Sequence, residues 1–584
     1  MKEDMKKIFR KKLIWSVLSV LALAYACDDS FLDVAPTGQL DANLLSGTRG
    51  LDRSLIAVYS QVNGRDRSQM GSPLNWVWGS IRGGDATKGT DPGDFNDINP
   101  IQIYSALPNQ GVLLDKYRAS YEGVARANST LQLLKTAAPE VPDTFKTRIE
   151  AQAKFLRAHF YFELKRIFNN TPYVDENTPA TELTEVKNDA DLWPKIEEDM
   201  LFAYTNLPET QTEVGRVNKW AAASYLAKIY MYQQKFDDAK TLFDEIITKG
   251  KTSNGKPYGL VPKYADIFKA ANDNHEESVW AYQAAAGTGH VNNANPEMVL
   301  NWPYTSAGAP GLCCGFFQPS FEMANSYRTN GGLPLLDGSY NVGANQLKTD
   351  MGLNTADAFT PDAGPVDPRL DHTVGRRGIP YLDWGVMPGK NWVRNQDNGG
   401  PYAPKKYAYY QSDIGSLQDN SSWTPGYTAI NYTIIRFADV LLMAAEAEIE
   451  AAAGDPEKAR QYVNRVRARA ANPQGFVMNG ANPAANYDIE EYPGPWAKDD
   501  AAREKIRFER KLELSSEGHR FFDLLRWGIA KETIDAYLQY EVPKYPLGAL
   551  YGSNFEAGKD EYLPIPQAEI DLVGPDVLVQ NPNY

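Results

Sequence analysis

Apolar residues recur at helical spacing through the first half of the chain and again near its carboxyl terminus. Tyr117, Tyr121, Val124, Ala127 and Leu131 follow one another at intervals of three or four residues, which places them on one face of a helix. The segment 113–134 is therefore predicted to be helical. The same criterion predicts four more helices, at residues 51–62, 145–168, 192–207 and 501–516.

Two segments have the pattern of a helical hairpin. The first covers residues 220–232 and 235–247, and the second covers residues 437–453 and 459–470 with a Gly454-Asp455-Pro456 turn between its halves. Small Ala residues let two helices approach closely, while Tyr and Leu fill the groove between them. Both segments resemble a tetratricopeptide helix pair. Any Ala-rich helical hairpin would show the same pattern.

Between residues 251 and 430 the helical periodicity disappears, and Gly, Pro, Asn and Asp become dense. A structureless run of this length is uncommon in a compact domain, and loops carried on a rigid scaffold are the usual place for recognition. We therefore predict a mostly α-helical protein in three parts. These are a helical part at residues 46–250, a loop-rich ligand-binding insertion with short strands at 251–430, and a second helical part at 431–584.

The amino terminus has the order of a secretory signal peptide, with a basic start, a short apolar run and small residues. The apolar run, residues 13–26, is shorter than the roughly 20 residues that span a membrane. Ala26 directly precedes Cys27 as in a bacterial lipobox, although Tyr25 is bulkier than usual there. We predict a signal peptide at 1–26, lipidation of Cys27 and a tether at 27–45. The alternative is a plain signal peptide with a chance Cys.

Composition excludes several classes of function. The 584 residues carry a formal net charge of −14, and an acidic surface repels phosphate, which argues against nucleic acid as a partner. The five His are dispersed and no metal-binding spacing of Cys or His occurs, so neither a metal nor a cofactor is predicted. Motifs of nucleophilic or phosphate chemistry are absent too. A glycosidase pair of carboxylates stays open, because sequence does not give their separation.

Cys313 and Cys314 are adjacent. Outside the cytosol such a pair can oxidise to a small ring that lies outside ordinary disulfide geometry. The ring would form a rigid, slightly apolar knob beside Gly315 and could belong to a ligand surface. Two buried free thiols are the equal alternative.

Aromatic residues in the loops are the candidates for ligand contact. A flat ring can cover the C–H face of a sugar while neighbouring polar groups bind its hydroxyls, so an aromatic pocket with a few polar groups suits a neutral glycan. Most Trp residues in any protein serve packing instead. The candidates are Trp76, Trp78, Asp85, Trp302, Tyr304, Trp384, Trp392 and Arg394, together with Cys313 and Cys314.

Between residues 506 and 527, which include Glu509, opposite charges recur at three- and four-residue spacing, as in Arg510 with Glu513, Glu517 with Arg520, and Asp523 with Arg526. This spacing favours ion pairs along helix faces and indicates a structural role rather than catalysis. Gly518 is suited to end one helix, and residues 520–527 to start another.

The carboxyl-terminal run resembles the signature of the SusD/RagB family of Bacteroidetes outer-membrane lipoproteins. Further stretches agree with that family in the same order along the mature chain. They are Cys27 with 31–36, the Asp-Ala-Thr-Lys-Gly run at 85–89, residues 125–128, 434–447, 464–470, 562–570 and the ending 580–584. Each stretch is weak alone, but the set is specific.

This resemblance implies an α-helical fold with about four tetratricopeptide-like helix pairs and a non-enzymatic, glycan-binding role at the cell surface. It implies a SusC-like, TonB-dependent transporter as partner, with this protein as its lid, and an outer-membrane lipid anchor facing outward. Other surface glycan-binding lipoproteins and glycoside hydrolases are further possible partners. The 85–89 region lies near the glycan site in the family, which adds weight to Trp76, Trp78 and Asp85.

The identity of the glycan is not encoded in any motif. Trp beside Asp and Arg suits fructans as well as α-glucans. We favour a fructan such as levan, because furanose rings offer smaller flat faces and would depend more on groups like Asp85 and Arg394. The alternative function is capture of a peptide or glycoprotein nutrient for the same type of transporter.

Overall fold

The computed structural model of the protein describes Met5 and residues 45–64, 70–295, 297–304, 308–421, 424 and 426–584. The predicted signal peptide, Cys27 and nearly all of the tether lie outside these residues. Within the described part, no helix is both long and apolar enough to cross a bilayer.

Twelve helices of seven or more residues are numbered here in chain order. The first six precede the predicted insertion and the other six follow it. They are α1 (Thr48–Tyr59), α2 (Gly111–Lys135), α3 (Asp143–Phe168), α4 (Trp193–Asn206), α5 (Lys219–Tyr232), α6 (Phe236–Lys249), α7 (Phe437–Glu450), α8 (Pro456–Ala470), α9 (Asp500–Leu514), α10 (Arg520–Arg526), α11 (Ala530–Glu541) and α12 (Gln567–Val573). The prediction of a mostly helical scaffold is confirmed.

Successive helices pack on one another as hairpins. Helix α2 packs on α3, α3 on α4, α4 on α5 and α5 on α6, while α7 packs on α8 and α9 and also on α6. Both predicted hairpins are present, as α5 with α6 and as α7 with α8. In α5 the small residues Ala221, Ala222 and Ala223 are fully buried, which permits the close helix approach that the pattern predicted. The contact between α6 and α7 joins the two helical parts.

Residues 251–430 contain short elements only, and further short elements lie on either side of this range. Four strands of four or five residues are numbered β1 (Ala86–Gly89), β2 (Ser278–Tyr282), β3 (Phe316–Pro319) and β4 (Tyr432–Arg436). Two-residue strands pair as Thr329–Asn330 with Leu333–Pro334, Val374–Gly375 with Ala403–Pro404, Gln418–Asp419 with Tyr427–Thr428, and Met478–Asn479 with Asn482–Pro483. One-turn helices are Asn99–Gln102, Phe321–Asn325, Leu370–Thr373 and Gln396–Gly399, and Trp76–Ile81 is a π-helical turn.

Two small sheets connect the insertion to the helical parts. Strand β1 pairs antiparallel with β3, and β2 pairs antiparallel with β4. All four strands are buried throughout. The insertion is thus continuous with the core on both sides, and the domain boundaries stay predictions.

Gly518 has a different role from the predicted one. Helix α9 already ends at Leu514, and Gly518 lies in the turn before α10 with φ +76°. A Cβ at this position would lie 2.2 Å from the Leu74 carbonyl oxygen. The glycine is needed because the turn both adopts a left-handed conformation and packs against the backbone of an earlier segment.

A cluster of buried charges, here called the central ion cluster, lies where the insertion meets the carboxyl-terminal helices. Its members are 0–3% exposed, and they come from six separate parts of the chain. They are the bases Arg369, Lys406, Arg436, Arg467 and Arg469 and the acids Glu277, Asp367, Glu509, Glu513 and Glu517.

Glu513 is the most connected acid of this cluster. Its carboxylate accepts hydrogen bonds from Arg369 at 2.8 Å and from Arg436 at 2.6 Å, and it also binds Arg469. The neighbouring guanidinium groups hold the pKa of Glu513 far below its usual range, against the opposing effect of burial. The predicted ion pairs are therefore present. Glu509, Glu513 and Glu517 find their partners on other elements, whereas Asp523 and Arg526 pair on one face of α10.

Replacing Glu513 by Gln should lower the free energy of unfolding by about 3–5 kcal/mol, because removing one member of a buried ionic network leaves its partners uncompensated. Urea denaturation measures this change. Asp535→Asn is the control, since the Lys531–Asp535 pair is 48% exposed on both sides and should contribute less than about 1 kcal/mol. Equal effects of the two substitutions would contradict the prediction.

The buried carboxyl group of Glu541 should make the stability of the folded protein depend on pH. It is fully buried at the end of α11 and accepts a hydrogen bond from the Tyr545 hydroxyl at 2.7 Å. Burial raises its pKa to about 8. A carboxyl group with a raised pKa in the folded state contributes stability that is present below about pH 4 and is lost as the pH rises through about 8.

The variant Glu541→Gln should therefore lose less stability than the native protein between pH 5 and pH 8. Each unit of pKa corresponds to about 1.4 kcal/mol, so the difference should reach several kcal/mol. Urea denaturation of both proteins across this range gives the comparison. Parallel pH profiles would show that the Glu541 carboxyl is ionised throughout.

Candidate ligand-binding surface

The sheet of β1 and β3 places three loops side by side. Thr87 lies opposite Gln318, and Gly89 lies opposite Phe316. A Cβ at Gly89 would be 2.6 Å from the Gly315 carbonyl oxygen, so only glycine permits this approach. The same oxygen accepts a hydrogen bond from the amide of Thr90 at 2.7 Å. The loop after β1 therefore lies against the segment that contains the two cysteines.

Three of the candidate tryptophans lie in the interior. Trp76, Trp78 and Trp302 are at most 1% exposed. Trp76 packs edge-on against Phe316 and Phe317 beneath the sheet, and the Trp78 indole donates a hydrogen bond to the Met70 carbonyl. A ring without an exposed face cannot stack on a sugar. The prediction that these three residues contact a ligand is therefore wrong, and their role is to pack in the core under the loops.

Asp85 is also buried, with 1% exposure. Its carboxylate accepts hydrogen bonds from the Ser80 hydroxyl and from the Ser516 amide, both at 2.9 Å. Burial raises its pKa to about 6. Asp85 thus joins the start of β1 to the turn after α9, and its predicted direct contact with a ligand is corrected to a structural link.

Tyr304 and Arg394 form the exposed part of the predicted set. Tyr304 is 38% exposed, and its amide donates to the Trp392 carbonyl at 3.1 Å. The Arg394 guanidinium carbon lies 4.9 Å from the centre of the Tyr304 ring. Gly315 lies beneath both, since a Cβ there would be 3.1 Å from the Tyr304 Cβ and 3.3 Å from the Arg394 Cβ.

Arg394 is held by two acids in the loop after β1. Its Nε lies 2.7 Å from Asp91, and its Nη1 binds the Asp94 carboxylate and donates to the Thr90 hydroxyl at 2.9 Å. The guanidinium is 27% exposed, and the two carboxylates are 41% and 35% exposed. A ring face and a polar rim of donors and acceptors therefore lie next to each other.

Cys313 and Cys314 are bonded to each other as a vicinal disulfide, which decides between the ring and the two free thiols. Cys314 is buried and Cys313 is half-buried. Leu312, directly before them, is 45% exposed. The disulfide adjoins Gly315, so this small apolar segment borders the Tyr304 and Arg394 side chains.

Trp384 and Trp392 lie at the edge of this region. Trp392 is buried and packs edge-on against Tyr381. Trp384 is half-buried, and its indole donates to the Tyr409 carbonyl at 2.9 Å. The Tyr409 hydroxyl in turn accepts from the Gly311 amide at 3.0 Å. Trp384 is thereby linked to the cysteine segment through one intervening side chain.

Sequence reasoning missed Asp91, Asp94 and Leu312. The two acids follow directly after the Asp-Ala-Thr-Lys-Gly run. Their position next to a predicted loop site could therefore have identified them as candidate ligand contacts. Leu312 adjoins the Cys pair but has no distinguishing pattern. We call Tyr304, Leu312, Cys313, Arg394, Asp91 and Asp94 the Tyr304 surface. Among the described residues, no group of three or more His, Cys, Asp or Glu is placed to hold a metal ion.

Comparison with known proteins agrees with this architecture. Residues 276–584 match the model of the SusD family, and residues 93–231 match a model described as starch-binding associating with outer membrane. SusD-like protein P25 of Formosa agariphila is 27% identical over 460 residues, which cover 75% of this chain and 76% of that protein. SusD-like protein P38 of the same organism is 22% identical and covers 91% of this chain and 94% of its own length.

Solved structures show the same fold. A laminarin binding SusD-like protein superimposes with a TM-score of 0.65 at 24% identity and covers 91% of this chain and 99% of its own. A SusD homolog from Bacteroides thetaiotaomicron superimposes with a TM-score of 0.68 at 22% identity, with coverages of 93% and 98%. Because the family model matches more than half of the chain and the fold agrees over nine-tenths of it, this chain belongs to the SusD family.

Proposed function

We propose that the protein is a cell-surface lipoprotein that captures a neutral glycan and delivers it to a SusC-like TonB-dependent transporter, over which it acts as a lid. The observation that carries the binding role is the Tyr304 surface. It combines an exposed aromatic ring, a guanidinium with two carboxylates and a small apolar segment on adjoining loops.

The chemistry of this surface suits a sugar. The ring of Tyr304 offers a flat apolar face, and carbohydrate C–H groups pack on such faces. Arg394 has donors and Asp91 and Asp94 have acceptors that remain partly exposed, so hydroxyl groups at the edge of a sugar can bind to both kinds of group. Few, well-placed polar groups beside an apolar wall are what orients a ligand in a binding site.

The same geometry favours a ligand without charge. The positive charge of Arg394 is already paired with Asp91 and Asp94, and the Lys88 ammonium lies in the same loop, bound to the backbone carbonyls of both acids. No unpaired positive charge is left there for an anionic polysaccharide, and the net charge of −14 would repel one. Both acids bind one guanidinium, an arrangement that fits hydroxyl recognition better than the acid–base division of labour in a glycosidase. We therefore propose a binding rather than a catalytic role.

Three observations bear on the choice of glycan. The sequence favours a fructan, whereas two similar structures are a laminarin binding SusD-like protein and a surface glycan-binding protein in complex with laminarihexaose, and one matching family model is described as starch-binding. Levan, laminarin and starch are accordingly the first probes. Inulin, dextran, mannan and a peptide mixture complete the set, and binding to the peptides alone would instead favour a peptide or glycoprotein nutrient.

Anchoring and the transporter belong to the same proposal. The signal-like amino terminus, Cys27 and the family description as associating with outer membrane support a lipid anchor on the outer face of that membrane. The short lipobox-like segment would leave the acidic body outside the bilayer, as a tethered rather than spanning protein. In this proposal the transporter carries the captured glycan across the outer membrane, and the binding protein is the lid over its entrance.

Tyr304→Ala should weaken binding of the mature chain, residues 27–584 with Cys27→Ser, to its neutral glycan by about tenfold, since an aromatic contact contributes roughly 0.5–1.5 kcal/mol beyond the area it buries. Affinity electrophoresis in gels that contain each polysaccharide measures the retardation. Tyr230→Ala is the matched control, because that partly exposed tyrosine lies on α5, away from the loops of the Tyr304 surface. Unchanged retardation of the Tyr304 variant would refute the site.

Cys27→Ser in the full-length precursor should abolish incorporation of radiolabelled palmitate and release the protein from the outer-membrane fraction of cells. The Tyr304→Ala precursor should keep the label, because that substitution leaves the amino terminus intact. The transporter should co-purify with the labelled protein from solubilised membranes. Labelling that persists in the Cys27 variant would show that another residue carries the lipid.

A further inference from the structure

A second cleft of about 660 Å³ opens between α9, α11 and the loop at 336–341. It shares no lining residue with the Tyr304 surface. Its walls combine aromatic rings with four basic side chains. Its lining includes Arg503, Arg507, Phe508, Lys511, Arg520 and Tyr540.

Two arginines in this cleft have no acidic partner. Arg503 on the same wall is paired with Glu450 at 2.6 Å and with Asp500 at 2.9 Å. By contrast, no carboxylate of a described residue lies within 4 Å of Arg507 or Arg520, and neither guanidinium makes a hydrogen bond there. Arg507 has a ring contact, with Trp527 at 5.3 Å.

Unpaired guanidinium groups are costly where water is partly excluded. Arg507 is half-buried, and burial lowers its pKa although Glu446 and Glu450 act in the opposite direction, so the surroundings compensate only in part for its lost hydration. A carboxylate bound there would supply that compensation, and a guanidinium binds a carboxylate through two parallel hydrogen bonds. The two guanidinium groups are therefore suited to bind an anion.

The rest of the cleft indicates what kind of anion fits. Phe508 and Tyr340 are nearly buried, and Tyr540 is half-buried, so ring surface borders the two arginines. The Lys511 ammonium lies over the Phe508 and Tyr340 rings and is already paired with Glu322 at 2.5 Å. Its charge is therefore satisfied within the protein, which leaves Arg507 and Arg520 for a ligand.

Acidic side chains at the mouth restrict the ligand further. Asp337, Glu504 and Glu532 line the cleft and are exposed. They would repel a polyanion such as a sulfated or fully uronic polysaccharide, because several like charges would have to pass them. A ligand with one negative charge on an otherwise neutral, ring-shaped body meets both conditions.

We propose that this cleft is a second carbohydrate site, one that binds a sugar carrying a single carboxylate, such as a uronate residue, with Arg507 and Arg520 on the carboxylate and the aromatic side chains on the ring. Such a site differs from the Tyr304 surface in charge preference. Together the two sites would let one protein hold a mostly neutral glycan that carries isolated acidic residues.

The test is isothermal titration of the mature chain with sodium D-glucuronate, with D-glucose as the neutral probe. We expect the native protein to bind glucuronate and to bind glucose at least tenfold more weakly, because loss of a charge-assisted hydrogen bond costs about a factor of ten or more. Arg507→Gln and Arg520→Gln should each weaken glucuronate binding by about tenfold. Arg503→Gln is the matched control and should leave the affinity within about twofold, since Arg503 is already paired.

Three results would overturn the proposal. They are no glucuronate binding by the native protein, equal binding of glucose, or unchanged affinity in both the Arg507 and Arg520 variants. Tighter binding of dextran sulfate than of glucuronate would also overturn it, because the cleft would then be a polyanion surface. Retained binding of the neutral glycan by the arginine variants verifies their folding, and retained glucuronate binding by Tyr304→Ala separates this site from the proposed function.

Discussion

Burial of ten charged groups in the central ion cluster is the constraint on which the rest of the structure depends. Removing each ion from water costs several kcal/mol, and that cost is recovered only when every charge meets an opposite charge in good hydrogen-bond geometry. Arg369 comes from the insertion, Arg436 from the end of β4, and Glu513 from α9. None of these segments can be displaced without leaving a charge unpaired, so the cluster defines how the insertion lies on the helices.

The geometry of the Tyr304 surface depends on how the insertion lies on the helices. Asp85 joins the start of β1 to the turn after α9, and β1 in turn positions β3 and the cysteine segment. Trp76 fills the space below the sheet. The exposed groups are therefore carried by loops whose ends are fixed in the core. Because these loops are already ordered, binding a ligand costs less of their conformational entropy.

Charge pairing distinguishes the two surfaces proposed for ligands. On the Tyr304 surface, Arg394 is paired with Asp91 and Asp94, so its donors act as hydrogen-bond groups rather than as a free positive charge. In the second cleft, Arg507 and Arg520 have no ion-pair partner among the described residues, and exposed acidic side chains line the same cleft. The same side-chain type thus serves opposite ligand preferences, and the difference depends entirely on which carboxylates the fold brings within reach.

Local pattern was sufficient for the helices, because a repeat of three to four residues reports directly which face of a segment is buried. The segment around Tyr117 and the two Ala-rich hairpins are helical, as that repeat predicts. The same pattern does not predict which aromatic side chains are exposed. Trp76 and Tyr304 both follow irregular loop sequence, yet Trp76 is in the core and Tyr304 is on the surface. Likewise the spacing around Glu513 indicated ion pairs but not their partners. Burial in a loop and pairing of charges are decided by segments that lie tens to hundreds of residues away in the chain, and only the tertiary structure brings those segments together.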